Sequence, residues 1–198
     1  MKTVLASNNK RKLAELLAIM KEDLPGNELL LLSDIGFTGD IEENGSTFEE
    51  NSKIKASVPA SLGYIGIADD SGLCVDALGG APGVYSARYS GKGDEENIDR
   101  LLYELRSVPD EKRTARFVCV MTAAFPDGRI IRARGEAEGL ILRERRGVSG
   151  FGYDPVFYYP PLHASFAEIG AEEKNRISHR AKALAAFCPL LKKELLKC

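Results

Sequence analysis

Two adjacent carboxylates, Asp69 and Asp70, stand directly after an apolar run at residues 64–67 and before Ser71-Gly72. The apolar run predicts a short buried strand that ends at the aspartates, with Ser71 and Gly72 forming the turn. Because neighbouring side chains on a strand point to opposite faces, we expect the two aspartates to have different roles. One could hold a divalent metal or a water, and the other could brace the backbone or a metal ligand. A plain turn is the alternative, since Asp-Ser-Gly is common turn chemistry.

A basic polar segment follows the first predicted strand, residues 2–6. Its residues are Ser7, Asn8, Asn9, Lys10, Arg11 and Lys12. The apolar spacing of residues 13–20 predicts that an amphipathic helix begins there, and a helix N-terminus presents free backbone N–H groups that attract anions. Cations are unfavourable at that end of a helix, so their presence indicates a phosphate ligand. A solvated basic face is the alternative.

Two further charged residues suit the same chemistry. Glu43 lies in an acidic loop at residues 39–45 and could supply a second oxygen ligand for a metal near Asp70, or it could simply solvate the loop. Arg88 stands between Tyr85 and Tyr89. It could contact phosphate, or it could be a surface arginine stacked on an aromatic ring.

The glycine-rich stretch at residues 150–155 could contact a base. Its two glycines, Gly150 and Gly152, allow the backbone to approach a ligand closely. Phe151 or Tyr153 could stack on a base, and Asp154 could accept hydrogen bonds from its edge. A structural turn before the next strand is the alternative.

The last predicted helix begins with polar residues. Ser178 is a suitable N-cap, which would place His179 and Arg180 in the first turn. These two side chains beside free backbone N–H groups would form an anion or carbonyl pocket.

Strands and helices alternate through the first half of the chain, and an antiparallel block follows. A capping box at Ser46 to Glu49 predicts the start of a helix that Pro59 should end or kink. Pro189 should likewise kink or break the last helix. The remaining predicted elements are strands at 29–32, 114–125, 129–138 and 139–143, a hairpin turn at 126–128 and a helix at 95–106. The order predicts an α/β fold with a mixed sheet.

Bulk properties narrow the functional class. The chain has 198 residues and a formal net charge of -2, which suits one domain and argues against a dedicated nucleic-acid or membrane-surface binder. No apolar stretch is long enough to span a bilayer, and no signal-peptide core is present. The four scattered cysteines predict reduced thiols in a cytoplasmic protein.

Taken together, the motifs resemble the inosine triphosphate pyrophosphatase family, in its bacterial branch that acts on dITP and XTP. The resemblance covers residues 4 to about 184, and its blocks are specific in this order and spacing. They are 5–8 with Lys12, 47–51 with Lys55, 68–73, 79–83, 85–91, 150–155, 173–174 and 177–180.

The resemblance implies an elongated, two-lobed fold with a central mixed sheet flanked by helices, formed by one domain over residues 1–198, and a homodimer. It implies hydrolysis of dITP, ITP and XTP to the monophosphate and pyrophosphate with Mg²⁺, which clears deaminated purines from the nucleotide pool. Asp70 would be the general base and a metal ligand, with Glu43 as the other metal ligand. Residues 7–12 would bind the triphosphate with Lys55 assisting, and Ser71 would touch the substrate. The base would be surrounded by Phe151, Gly152, Tyr153, Asp154, Lys174, His179 and Arg180.

Two alternatives remain open. One is a catalytically inert nucleotide-binding or RNA-binding module, which would have no need of a carboxylate beside a polyphosphate. The other is a pyrophosphatase for a different modified nucleotide, which only substrate profiling would separate.

Overall fold

The protein is described from a computed structural model, over residues 2–7 and 28–196. The predicted phosphate-binding residues 8–12 (Asn8, Asn9, Lys10, Arg11 and Lys12) and the helix predicted after them lie outside the described residues. The predictions for that segment therefore remain predictions.

Seven strands form one mixed sheet in the order β2-β1-β3-β4-β5-β6-β7. Their bounds are β1 Thr3–Leu5, β2 Leu29–Leu31, β3 Ile65–Val75, β4 Thr114–Ala124, β5 Ile130–Ile141, β6 Phe157–Tyr159 and β7 Ala164–Ser165. Strand β1 runs parallel to both β2 and β3, whereas β6 runs antiparallel to β5 and β7. The predicted α/β fold with a mixed sheet is confirmed.

Four α-helices accompany the sheet in the described residues. They are α1 Phe48–Ser61, α2 Asp94–Glu104, α3 Ala171–Ile177 and α4 His179–Leu195. Helix α1 is capped one residue later than predicted, because Thr47 rather than Ser46 accepts the backbone N–H of Glu50. Neither Pro59 nor Pro189 ends its helix, since both lie inside the helices that contain them.

Strand β3 corrects the interpretation of the Asp-Ser-Gly stretch as a turn. The strand continues through Ser71 and Gly72 to Val75, so the two aspartates lie in its interior and not at its end. Strand β5 likewise runs without a break through Gly139, where two strands had been predicted. A Cβ at Gly139 would lie 2.3 Å from the carbonyl oxygen of Tyr158, so a glycine is required for β6 to pair there.

The chain divides into two compact units. Unit 1 comprises residues 1–70, 119–135 and 180–198, and unit 2 comprises 71–118 and 136–179. In unit 1, α1 packs on one face of the sheet through Ala56, and α4 packs on the other through residues such as Leu184 and Phe187. The core of unit 2 contains an aromatic group of Phe117, Phe157 and Phe166.

Two sequence-level expectations can be checked directly. Cys74, Cys119 and Cys188 are free thiols, as predicted, and Cys198 lies outside the described residues. Across residues 2–7 and 28–196, the helices are all too short or too polar to cross a membrane.

Candidate active site

Asp69 and Asp70 point to opposite faces of β3, as strand geometry predicts. Asp70 faces α1, where its Oδ1 lies 3.0 Å from the Nζ of Lys55. Asp69 faces the other helix layer, where its Oδ2 lies 3.8 Å from a terminal nitrogen of Arg180 in α4. Both carboxylates are buried. The two aspartates thus have different partners, as expected for neighbouring residues of one strand.

Lys55 joins Asp70 to the acidic loop. Its ammonium lies 3.1 Å from Glu43 Oε2 as well as 3.0 Å from Asp70 Oδ1, and its side chain is 9% exposed. Burial alone lowers the pKa of Lys55. The negative charges of Asp70, Asp69 and Glu43 outweigh this effect and raise the pKa above its ordinary value. The site therefore holds a permanent ammonium between two carboxylates.

Asn51 belongs to the site, although the sequence motif that contains it predicts no role for this residue. Its amide nitrogen donates to Asp70 Oδ2 over 3.3 Å, and its amide oxygen accepts the backbone N–H of Gly45 over 2.8 Å. Asn51 precedes Lys55 by one helical turn, and residues four apart lie on the same helix face. That spacing is the signal that could have identified Asn51 as a partner of Asp70.

The carboxylate oxygens of the site are suitable ligands for a small hard cation. Glu43 and Asp70 both direct an oxygen at the Lys55 ammonium, so the two carboxylates converge on one point. In the described part of the chain, no group of three or more His, Cys, Asp or Glu side chains forms a complete metal site. Mg²⁺ is commonly held by one or two carboxylates together with substrate phosphates, so this sparse set of oxygens fits it.

Unit 2 contains a second cluster of predicted site residues. Asp154 Oδ2 lies 2.6 Å from the Nζ of Lys174 and accepts the backbone N–H of Phe151 over 2.8 Å. The Lys174 ammonium also lies 4.9 Å from the centroid of the Phe151 ring. Asp154 and Lys174 are buried, whereas Phe151 is only partly buried. The cluster presents an aromatic ring beside a fixed donor and acceptor.

Two residues of the glycine-rich stretch are tied to other parts of unit 2. The backbone N–H of Gly152 donates to Asp94 Oδ2 over 3.1 Å, and the Tyr153 hydroxyl donates to the Ser86 carbonyl over 2.9 Å. His179 lies in the same unit, with its ring stacked on Phe117 at 4.9 Å between centroids.

The other predicted site residues that the structure describes are Ser7, Ser71 and Arg88. Ser7 is partly buried and follows β1, where the preceding Ala6 N–H donates to Ile67 O of β3 over 2.7 Å. Ser71 follows Asp70 within β3 and is partly buried. Arg88 is exposed, with its guanidinium 5.3 Å from the centroid of the Tyr85 ring. This is the stacked surface arrangement that had been left open as an alternative.

The structure brings Glu43, Lys55 and Asp70 together in unit 1, and Phe151, Asp154 and Lys174 together in unit 2. Two of the points at which the chain passes between the units fall inside the predicted motifs, after Asp70 and after His179. Arg180 therefore belongs to unit 1, with Asp69, although it is next to His179 in sequence.

The chain is similar to known proteins over almost its whole length. Residues 3–190 match the model of the Ham1 family. The chain is 50% identical over 195 residues to a dITP/XTP pyrophosphatase of Desulforamulus reducens, covering 96% of each chain. It is 51% identical over 185 residues to a dITP/XTP pyrophosphatase of Geobacter sulfurreducens, covering 92% of each. The solved structure of the Staphylococcus aureus Ham1 protein has a TM-score of 0.89 and 41% identity, covering 98% of this chain and 100% of that one.

Proposed function

Because the chain belongs to the Ham1 family and is a nucleoside-triphosphate pyrophosphatase, we propose that its substrates are the triphosphates of deaminated purines, dITP, ITP, XTP and dXTP. The products are the monophosphate and pyrophosphate, and the reaction removes deaminated purines from the nucleotide pool. The observation that carries the proposal is the buried ammonium of Lys55 held between Asp70 and Glu43. Such a charge arrangement suits a polyphosphate and its cation.

At the phosphate end of the substrate, Asp70 acts as the general base. Lys55 and Asn51 each bind one of its carboxylate oxygens, so the carboxylate is fixed in orientation. A fixed carboxylate can orient a water for attack at the α-phosphate and accept its proton. Ser7 and Ser71 contact the substrate, and the cations Lys10, Arg11 and Lys12 bind the triphosphate. A positioned positive charge stabilises the negative charge that develops during phosphoryl transfer.

Glu43 and Asp70 would hold Mg²⁺, because their carboxylates lie close together on either side of Lys55 and are the ligand type that this ion prefers. When bound, the ion would neutralise charge on the phosphates and help to orient the leaving group. Lys55 offsets only one of the two carboxylate charges, so a second cation is electrostatically favourable at this position.

At the base end of the substrate, the cluster of Phe151, Asp154 and Lys174 in unit 2 binds a purine that has a keto group at position 6. Phe151 offers a ring for stacking, and Lys174 offers a donor whose position Asp154 fixes. His179 and Arg180 add donors. Oxygen O6 of inosine or xanthine accepts such hydrogen bonds, whereas adenine has a donor amine there. We expect discrimination against adenine of about 10²-fold or more, since buried polar groups would be left unpaired.

Two features implied by the family resemblance complete the proposal. The enzyme would be a homodimer, and it would work in the cytoplasm, where its thiols stay reduced. Light scattering on the purified protein measures the first, and fractionation of cells that express it measures the second.

The test is pyrophosphate release from dITP, XTP, dGTP and dATP, each with MgCl₂ and with EDTA. We expect metal-dependent release from dITP and XTP and little from the other two. Release from none of the four by the folded protein would refute the proposal and leave a binding module or a different modified nucleotide. Equal release from all four would retain the pyrophosphatase and refute the base selectivity.

A further inference from the structure

The glycine-rich segment Gly150–Asp154, here called the base loop, contains two aromatic residues in different environments. Phe151 is partly buried and has the Lys174 ammonium 4.9 Å from its ring centroid. Tyr153 is only 4% exposed, belongs to the core of unit 2 and donates its hydroxyl to the Ser86 carbonyl over 2.9 Å. Tyr153 would have to leave the core to stack on a base, so the stacking ring is Phe151.

Ser86 forms hydrogen bonds with several elements of unit 2. Its hydroxyl accepts the backbone N–H of Leu73 in β3 over 2.8 Å and donates to the Gly83 carbonyl over 2.6 Å. Its carbonyl accepts from Tyr153 and, over 3.4 Å, from the amide of Asn97 in α2. The Tyr153 hydroxyl therefore ties the base loop to a point that is itself bound to a strand and a helix.

The base loop is held to the rest of unit 2 by several polar bonds. The Gly152 N–H donates to Asp94, and Asp154 binds Lys174 and accepts the backbone N–H of Ala167. The Tyr153 hydroxyl adds the bond to Ser86, and it fixes the part of the loop that lies between Gly152 and Asp154.

We propose that Tyr153 is a positioning residue that sets base affinity through its hydroxyl bond to Ser86, by holding Phe151, Asp154 and Lys174 in register for a purine. This inference rests on the proposed function. Burial raises the pKa of the Tyr153 phenol above its usual range, so the hydroxyl stays protonated and donates at any assay pH. Because its hydroxyl is bonded within unit 2, we expect its contribution to be confined to the base.

The test is Tyr153→Phe, which keeps the ring in the core and removes the hydroxyl. A neutral hydrogen bond is worth about 3- to 10-fold in an equilibrium constant. We expect the KM for dITP and the Kd for inosine, measured by calorimetry, both to rise by about that factor. The kcat for dITP and the inhibition constant of inorganic tripolyphosphate should stay within about 2-fold of wild type. A merely structural role would change all four quantities together.

The matched control is Tyr89→Phe. Tyr89 is in the same unit and donates its hydroxyl to Glu104, not to the base loop. Its KM for dITP and Kd for inosine should equal those of wild type. Equal melting temperatures for the two variants would show that neither effect comes from unfolding.

An unchanged KM and inosine Kd in Tyr153→Phe would overturn the inference and leave the proposed function intact. A parallel loss in tripolyphosphate binding and kcat would also overturn it. Failure of the wild type to hydrolyse dITP would refute the proposed function instead, and the inosine measurement would still decide the role of Tyr153. No inosine binding by the wild type would overturn the inference as well.

Discussion

Lys55 in α1 binds the carboxylate of Asp70 in β3, with Nζ 3.0 Å from Oδ1 and both side chains less than a tenth exposed. Because the pair is buried, both charges have lost their hydration. The attraction between the ammonium and the carboxylate compensates for this loss. Deleting one partner of such a pair costs about 3–5 kcal/mol, since the remaining charge is left uncompensated. Glu43, on the same ammonium, would lose its partner too.

We therefore expect Lys55→Met to lower the free energy of unfolding by about 3 kcal/mol and to lower kcat/KM for dITP by at least 10²-fold. Lys53→Met is the control, since Lys53 is exposed on the same helix. Urea denaturation and pyrophosphate release measure the two effects. Equal behaviour of the two variants would contradict the assigned role of Lys55.

The Lys55 pair also predicts a pH dependence. The pKa of Lys55 is raised above its ordinary value of 10.5, so the ammonium contributes its full stability below that pH. The contribution is lost only as the pH rises through the higher folded-state pKa. The difference in unfolding free energy between wild type and Lys55→Met should be constant from pH 7 to about pH 10 and should shrink above that. A difference that already falls between pH 7 and 9 would contradict the raised pKa.

Asn51 provides a test of how Asp70 is held. Asn51→Asp would place a second carboxylate where the amide now donates to Asp70 Oδ2, and like charges repel in a buried site. We expect a loss of about 2 kcal/mol in stability and a clear fall in kcat. Asn44→Asp adds the same charge on an exposed residue of the neighbouring loop and should stay within about 0.5 kcal/mol of wild type. If the two variants were equally stable, the bond from Asn51 to Asp70 would have no structural value.

Gly150 and Gly128 form a matched pair of glycines. Both have positive φ angles, +80° and +88°, but a Cβ at Gly150 would lie 2.1 Å from Asp154 Oδ2, whereas one at Gly128 would meet nothing within 4 Å. Gly128→Ala should cost only backbone strain, about 1 kcal/mol. Gly150→Ala should cost more, and it should raise the KM for dITP because Asp154 must move away from Lys174. Thermal unfolding and dITP kinetics compare the two, and equal effects would contradict the close packing of Asp154.

Arg113 is a buried cation that binds two other chain segments of unit 2, at Leu105 and at residues 141–142. Its guanidinium donates to the carbonyls of Ile141 (2.7 Å), Leu105 (2.7 Å) and Leu142 (2.8 Å). Arg113→Met would remove all three of these hydrogen bonds, and we expect a loss of about 2–4 kcal/mol in the free energy of unfolding. Arg106→Met removes an exposed arginine and should cost under about 0.5 kcal/mol. Urea melts that coincide for the two variants would contradict a stabilising role for Arg113.

The sequence predicted the mixed sheet because its strands and helices differ clearly in apolar period and because Gly and Pro mark many of the turns. The turn predicted at Ser71-Gly72 was wrong, since β3 has neighbours on both sides and pairing overrides the local turn preference. The break predicted near Gly139 was wrong for a related reason. There the glycine serves close approach of β6 and does not end the strand.

The candidate site could be predicted in part. The alternation of Asp69 and Asp70 follows from strand geometry and needs no tertiary information. The convergence of Glu43 and Asp70 on Lys55 does need it, because the three residues come from a loop, a strand and a helix. Which of Phe151 and Tyr153 can stack on a base depends on how deeply each ring is buried. The sequence does not show this, because both residues are aromatic and lie in the same loop.

The most direct test of the account is kcat for pyrophosphate release from dITP by Asp70→Asn. Asparagine keeps the size of the side chain but cannot accept a proton as a carboxylate does. We expect kcat to fall by about 10²- to 10⁴-fold, the range of general acid–base catalysis. Asp76→Asn, at an exposed residue just beyond the same strand, should match wild type. An Asp70→Asn enzyme that is folded and retains kcat within about 3-fold of wild type would contradict the central claim.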